Sequence, residues 1–469
     1  MTACRRQPRL IVDDALPDVS PESALVTFAD ERDCVFLESV CDTNGYGRYS
    51  ILAIDPVSHV AARADQTDLL APLAAIPLGS TDPIAPAVPV APGWFGFIPY
   101  EFGAELNGVV RGGCDARLRF NLYDTIAVYD RAAPGWRIVA TDLPQSRIGS
   151  RERISRFRAL LESASAPGAS PDVSRFANAI LIDSSLKRPQ YSQRVDRAKR
   201  HIAAGDIYQV NLTQRFTFAT DQTPLSVYQQ LRRTNPASFA AYIRDGDRTV
   251  ISSSPELFLR VEGDHIVTRP IKGTAPRRHD PAEDAIVGSR LLASEKNRAE
   301  LNMIIDLMRN DLGRLCRAGT VRVIDDAEVE VHPTVLHLVG TIEGRLAKGA
   351  TFGDMLRATF PGGSITGCPK IRAMQIIRAL EPAPRDIYCG SIGYIDILGR
   401  VNLNIAIRTM LHEDASIHVH CGGAITADSD ADDEYAECMA KAAGMLRAVG
   451  ATLNSGATHA QPNRQETAT

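Results

Sequence analysis

The chain has 469 residues, 44% hydrophobic and 23% charged, a balance that belongs to a folded globular protein and excludes wholesale disorder. Lys plus Arg number 52 and Asp plus Glu 56, a formal net charge of -4, which argues against nucleic acid as the main partner because phosphate binding needs a basic excess. No apolar run reaches the roughly 18 residues of a membrane span, and nine dispersed Cys without a C-x-x-C pair fit reduced thiols in a cytoplasm, not a disulfide frame or zinc site.

In chain order, Met1–Leu10 is Arg-rich with no apolar core behind it, so it does not read as a secretory signal. Cys34–Leu37 and Thr125–Tyr129 read as short strands. Ala71–Gly93 is Pro-rich and reads as a surface loop or spacer, and Glu162–Ser174 reads as a linker. These breaks divide the chain into an N-terminal region, 1–170, and a second region, 175–450. Residues 451–469 read as a frayed tail.

In the second region Arg188–Ala204, Glu295–Leu312 and Lys370–Leu380 have helical spacing. Thr249–Ile271, Ile392–Ile397 and Asn402–Leu411 read as paired strands, and Asp432–Val449 as a closing helix with acidic residues in its first turn. Hairpin-like pairs outnumber strand-helix alternations. The expected class is therefore α+β with antiparallel sheets.

Several segments carry candidate chemistry. Gly263-Asp264 is a turn signal, and a two-residue turn there sets position 256 opposite 271, a three-residue turn opposite 272. Glu256 and Lys272 then lie at one end of a hairpin, either as an exposed ion pair or as a carboxyl and an amine serving one pocket. Burial of Lys272 would lower its pKa and free a nucleophilic amine. Glu300 shares a helical face with Met303, Ile304, Leu307 and Met308, where a carboxylate is costly unless it meets a cation or metal, or sits at the stripe's edge. Glu434, Glu437 and Lys441 share a face of the closing helix, as a solvated stripe or as a second source of carboxylates for Mg2+.

Pro361–Lys370 resembles a phosphate loop but lacks the Gly-Lys-Ser/Thr ending. It reads as a tight turn entering a helix, with Ser364 inside it. Cys421-Gly-Gly-Ala424 reads as a bulge or turn, or as a run of free N–H groups at Gly422 and Gly423. Arg408, within the apolar run Val401–Leu411, needs an anion, from a structural Asp or from a ligand. His337 reads as a hydrogen-bonded core His or as a catalytic group.

In their order, PIKGT (270–274), EKNRAEL (295–301), DLMRND (306–311), PGGSITGCPK (361–370), GSIGY (390–394), AIRT (406–409) and DSDADDEYAE (428–437) make this chain similar to the chorismate-utilising enzymes. The resemblance is dense over about 180–450 and extends thinly to Phe36–Ser39 and Gly47–Ser50. It implies two packed antiparallel sheets flanked by helices. Lys272 at this place in the motif resembles the branch that makes 4-amino-4-deoxychorismate from chorismate and ammonia, for 4-aminobenzoate and folate; the anthranilate-forming branch has Ala there. Lys272 would be the nucleophile and Glu256 the general acid/base. Glu300 and Glu437 would be Mg2+ ligands, with Glu434 behind. Lys441, Arg408, Tyr394 and the amides of Gly422 and Gly423 would hold the substrate carboxylates, and His337 and Ser364 the remaining ring substituents.

No Gly-x-Cys-x-Gly stretch occurs, so ammonia is expected from solution or from a separate glutamine amidotransferase subunit, with a separate lyase completing 4-aminobenzoate. The family's tryptophan-pocket motifs, LLES and NPSPY, read here as Phe36-Leu-Glu-Ser39 and Asn235-Pro-Ala-Ser-Phe239. A rival of another class, a non-catalytic sensor of a small acid or tryptophan, predicts loss of the acidic and nucleophilic residues, yet Glu256, Lys272, Glu300 and Glu437 are all present.

Overall fold

The computed structural model describes residues 9–14, 16, 18–41, 45–78, 88–164 and 179–451. Among them the strands form two antiparallel sheets, of twelve and ten strands. In the first, Val35–Glu38, Phe239–Asp245, Arg248–Ser254, Thr409–Glu413, Ser416–Ile425 and Gln209–Ala219 are successive neighbours. In the second the run is Ile271–Pro276, Val335–Arg345, His265–Arg269, Leu257–Glu262, Val401–Asn404, Ser391–Asp396 and Gly93–Ile98. Alternating apolar residues give each sheet a face to bury. Val35, Val250 and Leu411 of the first pack in one cluster with Phe95, Phe97 and Ile392 of the second.

Helices cover the flanks. Glu295–Gly313 packs on the strands Ile271–Pro276 and Val335–Arg345, and Ala431–Ala448 packs on Ser416–Ile425. Both start on side-chain caps: Ser294 accepts from the amide of Asn297, and Asp430 from those of Asp432 and Asp433. The helix Lys370–Leu380 has the predicted ends.

Other expectations are corrected. Val35–Glu38 pairs with Phe239–Asp245, and Gly93–Ile98 pairs with Ser391–Asp396. Chain on both sides of residue 170 therefore contributes to both sheets. Residues 79–87, 165–178 and 452–469, which hold the middle of the expected spacer and most of the linker and tail, lie outside the described residues, and the start of the spacer belongs to the helix Thr67–Ala74. The run Val401–Leu411 is two strands, not one. Val401–Asn404 belongs to the second sheet and Thr409–Glu413 to the first. Residues 405–408 cross between them, with Arg408 at φ +50°. Cys421–Ala424 is neither bulge nor turn but regular strand opposite Asn211–Gln214.

Candidate active site

Glu256 lies where the chain passes from one sheet to the other. Ser254 ends a strand of the first sheet and Leu257 begins one of the second. Of the two turn lengths open at Gly263-Asp264 the structure has the two-residue one, with Glu262 facing His265, but a bulge shifts the register so that Leu257 faces Arg269. Pro270 then ends that pairing. Ile271–Pro276 realigns on Val335–Arg345, with Lys272 opposite Leu338 and Thr274 opposite His337 across a second bulge. Gly273 forms this bulge at φ +74°, and a Cβ there would also press on Asn297 at 3.1 Å.

Glu256 and Lys272 meet on Ser364. The Ser364 hydroxyl donates to Glu256 Oε1 at 2.5 Å, and Lys272 Nζ donates to the Ser364 carbonyl at 3.1 Å. Asn211 Nδ2 donates to the same carbonyl at 3.0 Å. Glu256 is 4% exposed. Burial pushes its pKa up to about 7, against the Ser364 hydroxyl, the Lys272 charge and the Ile271 amide. Burial lowers the Lys272 pKa, helped by the Lys441 cation and opposed by Glu300, Glu256 and Glu437. Two groups of opposite chemistry are thus both drawn toward their neutral forms, an acid and an amine side by side.

The raised Glu256 pKa has a stability consequence. Between the unfolded value of 4.5 and about 7 in the fold, the folded state holds the extra proton. Its contribution to stability is full below 4.5 and is lost as pH rises through about 7. Glu256→Gln should therefore stabilise the fold by roughly 1–3 kcal/mol at pH 8 and little at pH 4, while turnover falls. Denaturation midpoints at the two pH values check this; no gain at pH 8 would count against it.

The acidic residues arrive from two helices. Glu300 reaches the site electrostatically through Lys272. Glu434 is buried, accepts from Ser429 Oγ at 2.7 Å and lies 4.0 Å from Lys296. Burial raises its pKa. Glu437 pairs with Lys441 at 2.7 Å, and both side chains are about half exposed, at 50% and 47%. Beside Gly423 a Cβ would meet Glu434 Oε2 at 3.3 Å, Lys441 Nζ at 3.6 Å and Glu437 Oε1 at 3.7 Å. The absent side chain leaves these three room to converge. Among the described residues no group of three or more His, Cys, Asp or Glu is spaced to hold a metal ion by itself. However, Glu434 Oε2 is buried without a hydrogen-bond partner, and a few carboxylates that leave places for water and substrate oxygens suit Mg2+. The donor set fits that ion.

Arg408 and His337 close another side. Burial alone pushes the Arg408 pKa down to about 10, with no carboxylate opposing it. Its guanidinium contacts Asn235 Oδ1 at 3.4 Å and His337 Nε2 at 3.5 Å. Among the described residues this half-buried cation is held by neutral groups, an arrangement suited to an incoming anion. His337 is 2% exposed, and burial and the Arg408 charge hold its pKa well below the usual imidazole value.

Tyr394 is not brought to this cluster. It lines a cavity of about 110 Å³ between the sheets, with Leu37, Glu38, Ser39, Ser238 and Phe239. The two departing motif segments therefore do meet there. Gly422 and Gly423 are at the site, and the Gly422 carbonyl accepts from Lys441 Nζ at 3.2 Å. Successive strand N–H groups point to opposite edges, so only one of the two amides faces away from the pairing with Leu212 and Thr213. Asn211, Asn235, Thr274, Lys296 and Ser429 were not predicted. Lys296 stands four residues before Glu300 and was readable as a helix-face neighbour; the others depend on long-range pairing.

Residues 33–447 match the family model described as chorismate binding enzyme. The chain is 38% identical over 410 residues to aminodeoxychorismate synthase component 1 of Salmonella typhimurium, covering 84% of this chain and 88% of that protein. It is 37% identical over 449 residues to anthranilate synthase component 1 of Streptomyces coelicolor, covering 92% and 86%. The crystal structure of anthranilate synthase component I from Streptococcus pneumoniae superposes with a TM-score of 0.75 at 30% identity, over 85% of this chain and 92% of that one. The menaquinone-specific isochorismate synthase of Escherichia coli shares the fold, with a TM-score of 0.71 at 18% identity over 95% and 96%.

Proposed function

The chain belongs to the chorismate binding enzyme family, and from that premise we propose that it aminates chorismate at carbon 4, giving 4-amino-4-deoxychorismate. The observation that carries this is the Lys272 amine, lowered in pKa by burial and held within hydrogen-bond reach of the same Ser364 that holds Glu256. The neutral amine attacks carbon 2 of chorismate. Both ring double bonds shift by one position, and the carbon 4 hydroxyl leaves as water with the proton of Glu256. Ammonia then attacks carbon 4 and expels Lys272 as the free amine. Arg408 and Lys441 bind the carboxylates, with His337 and Ser364 beside the ring substituents. Relatives named aminodeoxychorismate synthase component 1 support the same reading.

Glu300 and Glu437, with Glu434 behind them, would hold Mg2+, which when bound neutralises a substrate carboxylate. Glu300→Gln or Glu437→Gln should abolish turnover while the thermal midpoint stays near wild type, because a neutral amide binds Mg2+ poorly. Full activity in either variant, or in excess chelator, would remove the metal role.

The name component 1 implies a second component for those relatives. For this chain the partner would be a glutamine amidotransferase supplying ammonia. Purified alone, the protein should use ammonium at raised pH but not glutamine. Product mass after incubation with chorismate, Mg2+ and ammonium tests the reaction itself. Anthranilate with pyruvate would favour the second reading, which the Streptomyces coelicolor relative supports.

A further inference from the structure

We propose that Thr274 is a positioning residue that holds His337 in its Nδ1–H tautomer and leaves Nε2 as a bare acceptor beside Arg408. The assignment follows from donor counting. A guanidinium has donors only, so the Arg408 Nη2 contact to His337 Nε2 at 3.5 Å requires a lone pair on Nε2. The ring proton then sits on Nδ1, which lies 2.9 Å from Thr274 Oγ1 and donates to it, and the Gly273 backbone is a further hydrogen-bond partner of the ring. The Thr274 hydroxyl keeps its own hydrogen to point elsewhere. The low pKa of His337 agrees with a ring that carries a single proton.

The backbone explains why Thr274 can do this. Residues 272 and 274 flank the bulge at Gly273, whose φ is +74°. Across it the register jumps so that Thr274 directly faces His337. One bulge therefore presents Lys272 to the Ser364 carbonyl and Thr274 to the imidazole. Reversing the tautomer would turn an N–H toward the Arg408 guanidinium, donor against donor, at a part-buried contact. With Nε2 bare, the imidazole can accept a hydrogen bond from a substrate hydroxyl or from ammonia, while Arg408 keeps its donors for a carboxylate. That last step rests on the proposed amination; the tautomer itself does not.

The test reads the tautomer in ligand-free protein. The protein is labelled with 15N-histidine and examined by long-range proton–nitrogen correlation, with the His337 signals assigned by their loss in His337→Asn. Wild type should show a protonated Nδ1 and a bare Nε2. Thr274→Val, a near-isosteric change at an exposed position, should shift the ring toward a mixture of tautomers, and Thr274→Ser should restore the wild-type pattern. With chorismate and ammonium, Thr274→Val should lose about five-fold in kcat/KM, the scale of one hydrogen bond, and Thr274→Ser should stay within about two-fold of wild type. A protonated Nε2 in wild type, or a Thr274→Val spectrum identical to wild type, overturns the inference. A changed spectrum with no aminated product in any variant instead overturns the amination and leaves the tautomer role standing.

Discussion

Incubated with chorismate and Mg2+ but without ammonium, the protein should gain the mass of one chorismate less one water, mapped to the peptide containing Pro270–Thr274. A free lysine is about 99.9% protonated at neutral pH and inert as a nucleophile. In this site burial and the Lys441 cation oppose that protonation, while Glu300, Glu256 and Glu437 favour it. The amine spends enough time neutral to attack, and Glu256 at about 7 keeps a proton for the departing hydroxyl. The product of attack is a secondary amine, which stays in place until ammonia displaces it. Added ammonium should discharge the adduct as aminodeoxychorismate. Lys272→Ala should carry no adduct and lose turnover by roughly 10²–10⁴-fold, the scale for a group that acts in the transition state. Residual ammonia attack at carbon 2 would move its product toward anthranilate. Full-rate amination by a wild type that never carries the adduct would end the covalent role and leave Lys272 as a charge in the pocket.

The elements that bring Lys272 and Glu256 together were only partly legible in the sequence. The helices Glu295–Gly313 and Ala431–Ala448 were readable because cap, apolar spacing and first-turn acids agree locally, and Lys370–Leu380, which has no side-chain cap or first-turn acid, from its apolar spacing. The turn at Gly263-Asp264 was readable in place from its Gly-Asp pair, though not in length. The bulges on either side were not, since a one-residue slip leaves no mark on composition but turns side chains to the other face. The crossing at 405–408 was hidden because Ile405, Ala406 and Ile407 keep the apolar run unbroken while the chain changes sheets. Tyr394 was assigned to the substrate site through the family motif. Its strand, Ser391–Asp396, instead turns it toward Phe95, 5.4 Å away between ring centres. The pairing of strands from both sides of residue 170 was hidden because contacts so far apart in the chain have no local signature.

Least legible was the support beneath the site. Arg385, in the Pro-rich segment Glu381-Pro-Ala-Pro-Arg385, is among the largest fully buried side chains of the described residues. Its Nε and Nη2 donate to Glu381 at 2.9 and 2.7 Å, its Nη1 to the Ile365 carbonyl at 2.9 Å, and its Nη2 also to the Asn211 carbonyl at 2.9 Å. The Tyr100 ring covers the guanidinium at 4.5 Å. One cation thus ties the Ser364 turn to the strand that carries Asn211, the two elements on which Lys272 is positioned. Arg385→Met should cost about 3–5 kcal/mol, because it leaves Glu381 as an uncompensated charge in the interior with two carbonyls unpaired. Adding Glu381→Leu should recover a large part of the loss, since a buried ion pair can be exchanged for apolar packing at little net cost. Turnover should not recover with it, because the apolar pair restores packing but not the donors that hold the Ile365 and Asn211 carbonyls. Denaturation midpoints and kcat of the single and double variants separate the two effects. A single variant within about 1 kcal/mol of wild type would show that the pair is not what holds the turn, and a double variant that regained both midpoint and kcat would show that packing alone suffices.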